Sequence, residues 1–325
     1  MALLFLAALL TAAACQNLHP IRESRVGQYE LPNLDPETLP IAACNEWSEA
    51  CSAEAEGRYS DAFRIYESKY STCGDYGWVV IGRGEGLDKN VMYKRSPCGL
   101  RVAIKSANTP KECMRLKQLT TGTSAFECYG CFPKYYWYSP MTTACYSELI
   151  DGVDRNSVLP GTRAFTQDDV LNIQSLFLQG VAAVRTMRKH NIEHHDLVMA
   201  NLMIRRASVE VSQRNFDLVV IDLAQSVPLG DMERRLRGLS SESHWSSLQG
   251  DNTDLYALAC SFMAQLYRDA HGARDTTCMR TLPELPTDAS SFKHALVQVM
   301  HANANHHQVP DYAQIAAWIH AATRR

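Results

Sequence analysis

The chain has no Asn-x-Ser/Thr sequon anywhere in its 325 residues, so it offers no acceptor for an N-linked glycan. It has no long run of Lys and Arg. Its 32 basic residues are offset by 35 acidic ones, for a net charge of -3, which removes the electrostatic basis for a nucleic-acid surface. Past the first fourteen residues, no apolar stretch is long enough to span a bilayer. A second CxxC is lacking as well. Cys128-Tyr129-Gly130-Cys131 stands without a companion pair or a spaced His pair, so half a zinc site or a redox pair is disfavoured against a plain loop disulfide.

What is present begins with Met1 to Ala14, an uncharged apolar run that ends in Ala12-Ala13-Ala14 before Cys15. The pattern predicts a secretory signal peptide over 1–14, although its start carries no Lys or Arg. A buried N-terminal helix is the alternative. A lipoprotein signal ending on Cys15 is a second one, with Ala12 where Leu is usual. Eleven cysteines fit an oxidising compartment, the secretory lumen or outside the cell. Nine of them lie between Cys15 and Cys145, and only Cys260 and Cys278 follow. The front half is therefore expected to be braced by disulfides, with the pairing open. A hydrophobic share of 46% suffices for one large or two modest cores.

Periodicity then organises the chain. Residues 15–40 read as an extended arm. Ile41 to Tyr70 reads as helical, with apolar residues at Ala55, Tyr59, Ala62, Phe63 and Tyr66, which makes 15–75 an arm and helical extension too short to be a domain. From Tyr76 the pattern turns to strands at Trp78–Ile81, Val91–Lys94 and Arg101–Lys105. Gly82-Arg83-Gly84-Glu85-Gly86 lies between the first two. Such a loop can press backbone amides against phosphate because no side chain intervenes, and a flexible hairpin turn is the commoner alternative. A short helix opens at Thr109-Pro110-Lys111-Glu112, with Met114, Leu116 and Leu119 as its apolar side. There Glu112 either closes a capping box with Thr109 or faces Lys105. Two aromatic-rich strands follow at Pro133–Tyr138 and Thr143–Ser147, where the aromatics are expected to be core and sheet face. Thr166 to His190 is the clearest amphipathic helix. Past it lie His194-His195-Asp196-Leu197-Val198-Met199-Ala200-Asn201 and then an apolar strand, Leu218 to Ile221, that ends on Asp222. His190, His194 and His195 invite a metal reading, but the chain leaves the helix near Asn191, so a structural role is favoured. A serine-rich stretch to Asn252 precedes the apolar helix that starts at Asp254. Short helices at Phe292–Ala302 and Tyr312–Ala322 finish the chain.

The H-x-D-L-x-x-x-N run, the Val102-Ala103-Ile104-Lys105 strand after a glycine loop, and Asp222 at a strand end resemble the catalytic core of the protein-kinase superfamily. The resemblance runs from about Tyr76 to the end. It implies an α+β, bilobal fold, with a small antiparallel β lobe bearing one helix over 76–150 and a mostly helical lobe over 151–325. It implies ATP and Mg2+ as cofactors. Asp196 would orient or deprotonate a hydroxyl, Asn201 and Asp222 would ligate magnesium, and Lys105 would hold the α- and β-phosphates under Gly82, Gly84 and Gly86. Glu112 would pair with Lys105. The backbone from Glu148 to Ile150 would hold the adenine, and Asp154 the ribose. The chain departs from the pattern at His195, where Arg is usual; at Val198 and Ala200, where a cation would stand near the γ-phosphate; and at Ala224, which replaces a glycine. The expected activity is phosphoryl transfer to a protein Ser or Thr hydroxyl. A sugar or other small-molecule acceptor, and a nucleotide-binding scaffold without transfer, are the alternatives. The expected partner is a protein or glycan that carries the acceptor hydroxyl, with no nucleic acid and no stable membrane span.

Overall fold

A computed structural model of the chain describes residues 46–74, 77–83, 91–106, 110–121, 128, 130–153, 158, 166–207, 215–229, 253–266, 284, 287, 291–305 and 312–322. The segments expected to be a signal peptide and an extended arm, together with Gly84, Gly86, Thr109, Asp154 and the serine-rich stretch, lie outside the described residues. Residues Ala42–Arg325 belong to one compact unit, so the helical extension and the sheet behind it are parts of one body.

The extension, expected to be helical, is two helices, α1 (Ser48–Ala55) and α2 (Tyr59–Cys73), with a break that the apolar spacing does not mark. Gly57 is the reason. It takes φ 74°, a left-handed conformation that costs glycine almost nothing and ends the helix before it. The break lets α2 turn its aromatic stripe onto the sheet. Phe63 and Tyr66 are buried. Phe63 lies 5.2 Å from Tyr146 and 5.9 Å from Tyr136 between ring centroids, and Tyr66 lies 5.2 Å from Trp78.

The sheet holds five antiparallel strands: β1 (Val79–Arg83), β2 (Val91–Arg95), β3 (Arg101–Ser106), β4 (Tyr135–Ser139) and β5 (Ala144–Glu148), in the order β1-β2-β3-β5-β4. Helix α3 (Pro110–Thr121) lies between β3 and β4 in the chain. Alternation along β3 assigns its two faces. Val102 and Ile104 are buried in the cluster with α1 and α2. Ala103 and Lys105 line a cavity on the other side. The aromatic run does serve as core and sheet face, because Tyr136 is buried in the same cluster as Phe63.

The second, larger cluster is helical. Its spine is α4 (Gln167–Lys189), opened by a capping box in which Thr166 and Asp169 satisfy each other's backbone. Its neighbours are α5 (Thr253–Leu266), α6 (Phe292–Asn305) and α7 (Tyr312–Ala321). Leu255 to Cys260 of α5 are buried on every side, as expected for a helix wrapped by its neighbours. Gly180 of α4 permits this close approach, since a Cβ there would sit 2.9 Å from Leu258 Cδ1. Two small ladders carry the segment between α4 and α5. Strand β6 (Ile192–Glu193) pairs with β9 (Val227–Pro228), and β7 (Leu202–Arg206) pairs with β8 (Phe216–Val220).

The apolar side of α3 departs from expectation. Met114 is 66% exposed, while Cys113, Leu116 and Leu119 are buried. Those three follow an i, i+3 spacing that forms one stripe, and Met114 falls a quarter turn away from it. Leu116 and Leu119 join the helical cluster. Helix α3 therefore bridges the two: it lies along β4 of the sheet and reaches the helical core through Leu116 and Leu119.

Three disulfides join described pairs: Cys51–Cys98, Cys113–Cys145 and Cys128–Cys131. The CxxC is thus a closed loop. Cys73 and Cys260 are also disulfide-bonded. Among the described residues no helix is long and apolar enough to cross a membrane.

Candidate active site

A cavity of about 310 Å³ separates the sheet from the helical core, lined by Val91, Ala103, Ile150, Met203 and Leu223 together with Lys105, Glu112 and Asp222. Its size and its mainly apolar walls with a few converging charges are those of a small-molecule site.

Lys105 arrives on the cavity face of β3. Its Nζ donates to Glu112 Oε1 at 2.9 Å and to Asp222 Oδ1 at 2.6 Å. The connection from β3 to α3 spans only residues 107–109. It sets the first turn of the helix beside the end of the strand, and this is why a Glu only seven positions past the Lys can meet it. The ion pair is therefore present, and the capping alternative rests on Thr109, which lies outside the described residues. Asp222 follows the end of β8 with φ 60°, a conformation that Asp tolerates better than most residues.

The electrostatics are lopsided, with two carboxylates on one ammonium. Burial works against the Lys105 charge, but Glu112 and Asp222 more than compensate and its pKa is raised. Burial likewise pushes Asp222 up, and the Lys105 hydrogen bond and charge outweigh that, so Asp222 ends lowered. Glu112 ends raised: burial is the largest influence, Lys105 only partly offsets it, and the Asp222 charge adds to the rise.

The Asp196 loop is held from several directions. Asp254, at the start of α5, accepts both the His194 N–H at 2.7 Å and the His195 N–H at 2.9 Å. This fixes His195 at φ 65°, which a non-glycine residue keeps only when its surroundings enforce it. His194 Nε2 lies 3.0 Å from the Ile221 carbonyl, and the His195 ring lies 3.2 Å from Glu193. His190 caps the end of α4. The three histidines are thus spread over separate structural contacts. Asn201 Nδ2 donates to Asp196 Oδ2 and to its carbonyl, both at 2.8 Å. The Asn201 carbonyl accepts from the Ile221 N–H at 2.9 Å, so Asp196, Asn201 and Asp222 are linked through backbone and side chain.

Gly82 is not part of a free loop. It lies in β1 opposite Tyr93, and a Cβ there would come within 3.1 Å of the Tyr93 ring. The Glu148 side chain is also taken up inside the protein. Its carboxylate accepts from Arg205 at 2.8 Å and from the Lys134 N–H at 3.0 Å. Ile150 is buried at the cavity edge.

Two side chains escaped the sequence reading. Arg205 of β7 ties Glu148 of the sheet to Gly130 of the disulfide loop. Arg115 of α3 donates to the Ser226 hydroxyl at 2.8 Å and to its carbonyl, which anchors the chain just past Asp222. An arginine on an exposed-looking register carries no local sign of a partner 111 residues away.

Neither protein-family models nor curated protein sequences match this chain.

Proposed function

We propose that this chain is a phosphotransferase with a protein-kinase-like fold, in which the five-stranded sheet with α3 forms one lobe and the helical cluster the other. It would transfer the γ-phosphate of ATP to a hydroxyl, most simply a protein Ser or Thr. One observation carries the reading: a strand lysine bridges a helix glutamate and a strand-end aspartate 117 residues away, on the wall of a cavity of nucleotide size. Structural ion pairs seldom place two carboxylates on one half-buried lysine beside an open cavity, because the surplus charge costs stability without a ligand.

The donor set fits magnesium and a polyphosphate. Asp222 and Asn201 offer hard oxygen ligands, and the surplus negative charge beside Lys105 suits a divalent cation. When bound, the ion would neutralise charge on the phosphate oxygens. The remaining work falls to the chain itself. Lys105 would neutralise phosphate charge while Glu112 holds it in place. Val91, Ala103 and Met203 offer an apolar slot that excludes water. Asp196, steadied by Asn201 Nδ2, would orient an acceptor hydroxyl and receive its proton. Val198 and Ala200 supply no cation beside that hydroxyl, which favours a slow enzyme or a small acceptor that brings its own positioning.

The test is a thermal-shift titration with ATP and magnesium, followed by labelled-phosphate transfer to protein and sugar acceptors. Asp222→Asn should weaken magnesium-dependent binding by about tenfold or more. Asp196→Asn should leave binding near wild type and lower transfer by about 100-fold or more. If the wild type binds no nucleotide, the reading fails.

A further inference from the structure

Lys105 of β3 lies opposite Cys145 of β5 in the antiparallel register, and Glu112 immediately precedes Cys113 in α3. The ion pair and the Cys113–Cys145 disulfide thus run side by side between helix and sheet, one position apart at each end. Elsewhere α3 meets the sheet chiefly along β4, where Lys117 lies over the Tyr135 ring, and its Leu116 and Leu119 reach the helical cluster; neither contact is made at the strand that carries Lys105. The ion pair is a shared tether for this helix. Asp222 approaches Lys105 more closely than Glu112 does, at 2.6 Å against 2.9 Å, and burial disfavours the ionised form of Glu112. The disulfide is the covalent link nearest this carboxylate, and it joins α3 to the strand directly beside the one that carries Lys105.

We propose that Cys113 and Cys145 are positioning residues: their disulfide holds α3 on β5 so that Glu112 stays beside Lys105 whether or not a ligand is bound. The inference rests on the nucleotide-site reading for its consequence, because a fixed Glu112 leaves Lys105 pre-set while a cation takes Asp222. It does not rest on that reading for its geometry.

The test has two arms on the full chain. The first is amide hydrogen exchange across 111–121 without ligand. In Cys113→Ser/Cys145→Ser these amides should exchange about tenfold faster or more, while those of α4 stay unchanged. Cys51→Ser/Cys98→Ser should leave α3 unchanged, and so should Glu112→Gln with the disulfide intact. The proposal is overturned if α3 is unaltered by loss of its own disulfide, or if Glu112→Gln accelerates it as much. Should the double-serine chain not fold, the Glu112→Gln result alone decides. The second arm is the affinity for magnesium-ATP. Glu112→Gln should cost about tenfold with the disulfide present and less than about threefold without it, a non-additivity that general destabilisation does not produce. Additive losses overturn the proposal. A wild type that binds no nucleotide removes the functional reading, and the exchange arm then still decides the positioning role.

Discussion

At the scale of single residues, Glu112 is held against its own preference. A carboxyl whose folded pKa is raised contributes stability below its unfolded value and loses that contribution as pH rises through the folded one. At pH 7 the ionised Glu112 is therefore a cost. Asp222, whose folded pKa is lowered, behaves oppositely: its contribution is present above the unfolded value and disappears as pH falls through the folded one. Lys105, raised, keeps its share until strongly alkaline pH. Glu112→Gln should hence be at least as stable as wild type at pH 7, and the gap should close as the pH is lowered toward the ordinary carboxylate range. Asp222→Asn should lose on the order of 1–2 kcal/mol at pH 7, again converging in acid. Urea unfolding across pH reads both; a Glu112→Gln chain that is clearly less stable at pH 7 contradicts the account. A costly residue beside a cavity is what a site retains for binding, since stability alone would discard it.

At the scale of elements, the loop from β6 to β7 is placed chiefly by Asp254. Its two oxygens serve the buried His194 N–H and the part-buried His195 N–H. Asp254→Ala should cost about 3 kcal/mol by leaving both donors unpaired, and transfer should fall with it because Asp196 is the next residue along. Denaturant unfolding and the transfer assay check this; a loss below about 1 kcal/mol would show that the loop holds itself. The contact of Asp254 with this loop is what the likeness of Asp254–Cys260 to the buried helix of the protein-kinase core implies; composition alone marks only an acid at the head of an apolar helix. The exposure of Met114 and the split at Gly57 were not legible. Each turned on a quarter turn of register or a single left-handed residue, which apolar spacing does not resolve.

At the scale of the whole molecule, two clusters share one cavity, and disulfides decide how firmly the front helices grip the sheet. Cys51–Cys98 ties α1 to the turn between β2 and β3 across 47 residues of sequence. Its removal by Cys51→Ser/Cys98→Ser should lower stability by on the order of 3–4 kcal/mol through the freed unfolded chain. Magnesium-ATP affinity should stay at the wild-type value, because α1 and α2 cover the face of the sheet away from the cavity. Calorimetry beside the nucleotide titration separates the two effects, and a matching loss of affinity would place the front helices in the site. Three described disulfides fit a protein that matures in an oxidising compartment.

Local chemistry settled a good part of this protein in advance. Alternation marked the strands of the sheet, a 3.6-residue period marked α4, and the resemblance of the H-x-D-L-x-x-x-N and Val102-Ala103-Ile104-Lys105 motifs to the protein-kinase core singled out Lys105, Asp196, Asn201 and Asp222. Which of them meet was decided by the tertiary structure. Lys105 has two acidic partners, Glu148 spends its carboxylate on Arg205, and Gly82 is locked under Tyr93. Cys113 joins Cys145 one step from the ion pair. These outcomes depend on distances between segments far apart in the chain, set by packing two clusters against each other, and no local pattern encodes such distances.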